Sequence, residues 1–237
     1  MRILVIGDVC IDEYRYGEIR RVNPESTAPL LNFQDKEEKL GMAFNVSINL
    51  MALGVDVVLS AGEEVSRKIR YIDRRTGEHL LRVDEDVETK PYEFDVDLVD
   101  FDAIVISDYN KGFVGNDTIK ELRKQFDGPI YMDTKKKNLA DFPNIYIKIN
   151  QRELYESTSL PEQDKLIVTY GADGCGYKDT LYPAKVIEVV DVCGAGDVFL
   201  AAMVFKHLET GSMDEALPFA NERAARSCQS LGAVCVS

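Results

Sequence analysis

The sequence is short of cations, of histidine and of long apolar runs, and each shortage bears on function. Lysine and arginine number 28 against 41 aspartates and glutamates, a formal charge of −13. A field of that sign repels phosphate backbones and anionic lipid, so nucleic acid and membrane surfaces are poor partners. An anionic small substrate would need local positive groups to overcome it. Only two histidines occur, and the five cysteines (Cys10, Cys175, Cys193, Cys228 and Cys235) are odd in number, with no Cys-x-x-Cys spacing. That composition argues against a His/Cys zinc site and for reduced thiols. No apolar run approaches the roughly 20 residues that span a bilayer. The apolar start at Ile3 is too short for a signal-peptide core and runs into charge, so the expected location is the cytoplasm.

What is present suits a folded chain. Hydrophobic residues make up 45% and charged residues 29% of 237, enough for one well-buried domain over 1–237. Short apolar runs predict buried parallel strands at 3–6, 55–59, 103–106, 130–133, 145–149 and 166–169. Helical spacing is read at 45–53, with Gly54 as its stop, at 116–125, from Gly196 or Asp197 to about 209, and from 213 to about 230. Strands alternating with helices predict an α/β fold, a mostly parallel sheet with helices on both faces. Segments 68–73 and 79–84 alternate polar and apolar residues around a turn-like spacer at 74–77. They predict a hairpin with one wet face, a lid or a dimer surface. The cluster Asp84-Glu85-Asp86 reads as a solvated loop. In such folds ligands sit beyond the C-terminal strand ends, where Asp8, Asp12, Asp108, Asp133, Asn150 and Thr169 fall.

The sharpest motif is Asp191-Val192-Cys193-Gly194-Ala195-Gly196-Asp197. It follows a strand-like stretch at 186–190 and opens an apolar helix. Small residues at a helix mouth let backbone N–H groups converge on an anion that the dipole also favours. A carboxylate at Asp197 beside that anion is a poor arrangement unless it accepts the proton of an attacking hydroxyl, as in phosphoryl transfer. The same Asp also suits a helix N-cap. A dinucleotide fingerprint would need a third glycine where Phe199 stands, and no Walker A Gly-x4-Gly-Lys-Ser/Thr occurs. Any ATP site must therefore be built differently.

That motif, followed by its helix, resembles the C-terminal signature of the ribokinase-like (PfkB-type) carbohydrate kinases. Gly41-Met-Ala-Phe-Asn45, Asn150-Gln-Arg-Glu153, Val168-Thr169-Tyr-Gly171-Ala-Asp-Gly174 and Asn221 resemble further family segments in the right order. The opening from Gly7-Asp8 to Gly17, Arg21-Val-Asn-Pro24-Glu25, Ser107-Asp108-Tyr109-Asn-Lys111-Gly112 and Asp133-Thr-Lys135 are similar to the heptose 7-phosphate kinase group. The resemblance implies ATP, Mg²⁺ and a sugar or sugar-phosphate acceptor. It implies that Asp197 is the base and that the backbone of Gly194, Ala195 and Gly196 is the anion hole. Asp12, Gly41, Asn45, Asp108 and Lys111 would face the acceptor, Lys111 as the partner of a substrate phosphate. Lys135, Asn150, Glu153, Thr169, Gly171, Gly174 and Asn221 would line the nucleotide side, with Glu153 acting on magnesium through water. The hairpin would be the lid, and a homodimer through its edges is expected.

Plainer readings stand beside these. Asp12 and Asn45 suit caps, Lys111 and Lys135 suit solvated surface, Glu153 suits the first turn of a helix, and Gly171 and Gly174 suit turns. The chain also departs from the family pattern. Met42 replaces the second early glycine, Val192 replaces a threonine, and several dozen residues are missing between about 60 and the hairpin. A kinase of a nucleoside or other small alcohol, or a trimmed inactive binding module, therefore remain alternatives. The acceptor and the hydroxyl phosphorylated are not read from the sequence.

Overall fold

The computed structural model describes residues 1–93, 96–185, 187–230 and 232. The chain opens with β1 (Arg2–Gly7), buried from Ile3 onward. One residue later come two fourteen-residue strands, β2 (Val9–Val22) and β3 (Pro29–Met42). Helix α1 (Ala43–Ala52) follows directly and turns at Gly54, where φ is 84. Then come β4 (Asp56–Ala61), β5 (Ser66–Asp73) and β6 (Glu78–Glu85). The second half runs β7 (Ala103–Asp108), α2 (Asn116–Gln125), β8 (Ile130–Thr134), β9 (Tyr146–Asn150), α3 (Gln151–Glu156), β10 (Leu166–Thr169), β11 (Cys175–Tyr177), β12 (Thr180–Tyr182), α4 (Ala195–Thr210) and α5 (Met213–Ser227).

Eight strands form the main sheet in the order β12-β11-β10-β9-β8-β7-β1-β4. Those from β10 to β4 pair in parallel, and β11 and β12 add antiparallel at one end. Successive residues of β1 point to opposite faces, as a strand must. Ile3 and Val5 join a core with α1, α4 and α5. Leu4 and Ile6 join a second core with α2 and Phe142. A sheet covered on both faces explains why its strands read as unbroken apolar runs.

The predicted hairpin exists as β5–β6, but it is half of a four-stranded sheet, β3-β2-β5-β6. The two long strands β2 and β3 were not foreseen. Strand β3 carries Asp35-Lys36-Glu37-Glu38-Lys39 and is exposed for most of its length, so no apolar alternation marks it. Asp84 and Glu85 lie inside β6 and are not loop residues. The strand expected at 186–190 is irregular from Ile187 to Val190, and Val186 lies outside the described residues. The amides of Val190 and Asp191 both donate to Cys228 O, so the segment is tied to the end of α5 instead of to a strand. Helix α5 ends at Ser227, a few residues short of expectation. Cys235 lies outside the described residues.

Candidate active site

Helix α4 starts with Gly194 as its N-cap, in the left-handed region at φ 77, which glycine enters without steric cost. Ala195, Gly196 and Asp197 form the first turn, so Asp197 is inside the helix and is not its cap. Of the expected anion hole, the Ala195 amide donates to Val192 O at 3.3 Å. No acceptor is recorded among the described residues for the amides of Gly194 and Gly196. Two amides thus stand open at the positive end of a sixteen-residue helix.

Asp197 is 4% exposed. Its Oδ2 accepts from Asn45 Nδ2 at 3.1 Å and its Oδ1 from the Tyr109 hydroxyl at 3.0 Å. Asn45 also donates to Gly194 O at 3.2 Å, which ties α1 to the glycine turn. Burial pushes the Asp197 carboxyl up to about 6; Asp133 adds to the rise, while Asn45, Lys148 and Tyr109 oppose it. A base titrating near neutrality is suited to proton abstraction.

Across from it, Lys148 Nζ holds Asp133 Oδ2 at 2.7 Å, with both side chains 5% exposed. A Cβ on Gly196 would come within 3.0 Å of that same Nζ, so the lysine borders the open amides. The other oxygen of Asp133 is buried without a partner.

The second sheet reaches the glycine turn through Arg70. Asp12 Oδ1 accepts from Arg70 Nη1 at 2.5 Å. Arg70 Nη2 reaches Cys193 Sγ at 3.6 Å, and its guanidinium lies over the Tyr14 ring at 5.2 Å. Gly41 is required here, because a Cβ would sit 2.4 Å from Asp12 Oδ2 and 2.6 Å from Cys10 Sγ. Burial pushes the Cys10 thiol up to about 12, so it stays protonated. Met42 takes φ 59, a region non-glycine residues rarely adopt. It stands where the family pattern has a second glycine.

The remaining sequence-expected residues are placed as follows. Asp108 is 1% exposed and is used up by Asn110 N at 2.9 Å, Thr134 Oγ1 at 2.6 Å and Lys136 Nζ at 3.2 Å. Lys111 Nζ pairs with Asp86. Asn150 caps α3 in a capping box, accepting from Glu153 N at 2.9 Å, while Glu153 Oε2 accepts from Asn150 N at 2.8 Å. Glu153 also pairs with Lys135. These residues, with Lys136, Lys137, Arg152 and Glu156, line a cavity of about 350 Å³. Thr169 Oγ1 donates to Ile149 O at 3.3 Å, and Gly171 and Gly174 turn at φ 61 and 98. Asn221 donates to Tyr182 O at 2.8 Å, fastening α5 to the end of β12.

The structure thus brings Asp197, the glycine turn and Asn45 into direct contact, and links Asp12 to them through Arg70 and Cys193. Sequence reasoning gave no role to Tyr109, Lys148 or Arg70. The signal for Lys148 was a lone charge inside the apolar run of β9.

Residues 146–236 match the model of the pfkB family carbohydrate kinases. The bifunctional protein HldE of Sulfurimonas denitrificans is 25% identical over 297 positions, covering 100% of this chain and 62% of that protein. HldE of Helicobacter acinonychis is 28% identical over 299 positions, covering 100% of this chain and 64% of that protein. The chain thus spans less than two thirds of the length of these relatives. An alignment of 297 positions against 237 residues leaves at least 60 with no residue in this chain, in line with the shortening read from the sequence. Escherichia coli phosphofructokinase-2 in complex with substrates and products superposes with a TM-score of 0.75 at 16% identity, over 100% of this chain and 96% of that one. The ribokinase of Thermotoga maritima gives 0.70 at 17% identity, over 98% and 94%. The chain thus has a ribokinase-like α/β fold, and its C-terminal segment, residues 146–236, matches the pfkB family of carbohydrate kinases.

Proposed function

We propose that the chain transfers the γ-phosphoryl group of ATP to a hydroxyl of a sugar or sugar phosphate, with Asp197 as general base. One observation carries this reading: a buried carboxylate lies in the same helical turn as two open amides, with a buried lysine beside them. A structural cap would need neither the raised titration of Asp197 nor amides left without acceptors. Asp197 would take the acceptor proton. The Gly194 and Gly196 amides and Lys148 would hold charge on the transferred group. Lys135, Asn150 and Glu153 border the basic cavity that suits the nucleotide phosphates. A magnesium ion would ride on those phosphates and neutralise their charge, with Glu153 reaching it through water.

The β2–β5 sheet is the lid in this reading, because Asp12 and Arg70 reach from it toward the glycine turn. Its exposed apolar residues, among them Phe33 at 60% and Leu81 at 57%, support a homodimer through this sheet. The similarity to HldE supports a heptose 7-phosphate-like acceptor. The test is a panel of sugars and sugar phosphates assayed for ADP release with Mg-ATP. Acceptor-dependent release that vanishes in Asp197→Asn is the expected result. No release with any acceptor from a folded chain would leave the trimmed binding module as the better reading.

A further inference from the structure

Both oxygens of Asp197 are engaged, and the two donors differ in kind. Asn45 is a fixed support: it sits in α1, is fully buried, also donates to Gly194 O, and accepts from Asn49 at 3.0 Å. Tyr109 sits in the loop after β7. Asp8 accepts its amide at 2.7 Å, and the next residue, Asn110, has φ 58. Its ring is flanked by two ammonium groups from different walls of the site. Lys68 Nζ, from β5 of the second sheet, is 5.4 Å from the ring centroid, and Lys135 Nζ, after β8, is 5.1 Å. Lys135 also pairs with Glu153. Lys68 has no carboxylate within ion-pair distance among the described residues. Cations held close over a ring attract its negative face and keep it in place.

A base must receive its substrate hydroxyl on one carboxylate oxygen within hydrogen-bond reach. An amide donor on Oδ2 is compatible with that. A hydroxyl on Oδ1 occupies the same place, with the same donor chemistry, as the alcohol to be phosphorylated. We propose that Tyr109 is a positioning and specificity residue: its hydroxyl holds the acceptor's place on Asp197, keeps water off the base, and yields to an acceptor alcohol. This rests on the kinase reading of the same site. The reaction held back is hydrolysis. A water would give its proton to Asp197, its oxygen would bond to the γ-phosphorus, and the bond from that phosphorus to the ADP oxygen would break, leaving ADP and inorganic phosphate. Water gains no contact that repays the lost Tyr109 bond. A polyhydroxyl acceptor touching the second sheet does, and that difference is a specificity.

Tyr109→Phe tests this, since it keeps the ring and both lysine contacts and removes only the hydroxyl. With Mg-ATP and no acceptor, phosphate release is expected to rise about tenfold over wild type, and to be lost again in a Tyr109→Phe/Asp197→Asn double variant. A second readout needs no turnover. Losing one donor raises the titration midpoint of Asp197, read from carbon-13-labelled aspartate, while Asn45, Asp133 and Lys148 still face it from α1, β8 and β9. A wild type that phosphorylates a sugar, beside a Phe variant that hydrolyses ATP no faster, overturns the Tyr109 proposal alone. A wild type that turns over ATP with no acceptor in the panel overturns the kinase reading, and the Tyr109 proposal with it, even if the midpoint moves. Should the Phe variant not fold, 3-fluorotyrosine in the wild-type chain gives the same answer: a Tyr109 fluorine resonance that ignores Asp197 between about pH 5 and 7 overturns the contact.

Discussion

In the proposed reaction Asp197 carries the proton transfer, and its burial makes two measurable demands. Burial lifts its carboxyl from 3.8 to about 6, so the rate should fall below about pH 6 as the base becomes protonated; a pH profile of kcat/KM checks this. The same lift means that folding favours the protonated form. Its stabilising contribution is full below the unfolded value and is lost as pH rises through about 6. At pH 8 the ionised side chain therefore costs the fold on the order of 3 kcal/mol. Asp197→Asn should lose about 10²–10⁴ in kcat yet unfold at a higher temperature at pH 8, with the gain shrinking toward pH 4. A thermal melt at both pH values tests the sign. Lys148 gives the opposite case. Lys148→Met leaves Asp133 buried and uncompensated, and should cost about 3–5 kcal/mol in denaturant unfolding. Neither the Lys148 nor the Tyr109 contact was legible from the chain alone. Lys148 meets Asp133 because parallel pairing of β8 and β9 sets them side by side. Tyr109 reaches Asp197 across 88 positions of sequence. Asp197 stood out in the sequence because the glycine turn it joins is local, built from neighbours in one turn.

At the scale of elements, legibility followed burial on two faces. Strands β1, β7 and β8 each carry an apolar run buried on both faces and were read directly. Strands β2 and β3 pair over most of their length, but their exposed stretches carry charge where a pattern would need apolar residues. Valines at 189 and 190 misled in the other direction: they are 53% and 59% exposed and join no ladder. The mouth of α4 makes its own prediction. Gly194→Ala forces a side chain into φ 77, which should cost about 1–2 kcal/mol and tilt the two open amides. A loss of kcat larger than the loss of stability in urea titrations would show that the turn is there for the reaction.

For the whole molecule, the sheet ends at β4 beside β1, while the proposed site lies toward its other half, between β8 and α4. If the second sheet joins two copies, Phe33→Glu should convert a dimer to a monomer in light scattering, since it puts charge on an exposed apolar position. The way the two sheets are stitched together has its own consequence. The chain crosses from one to the other at Asp8, returns at Met42 into α1, crosses again over 62–65 and returns between β6 and β7. The Ala43 amide donates to Asp8 O at 3.0 Å, so the first two crossings are clasped to each other. Any swing of this cover would pull on that clasp. Asp8, which also grips the Tyr109 loop, would pass each swing to the hydroxyl resting on the base.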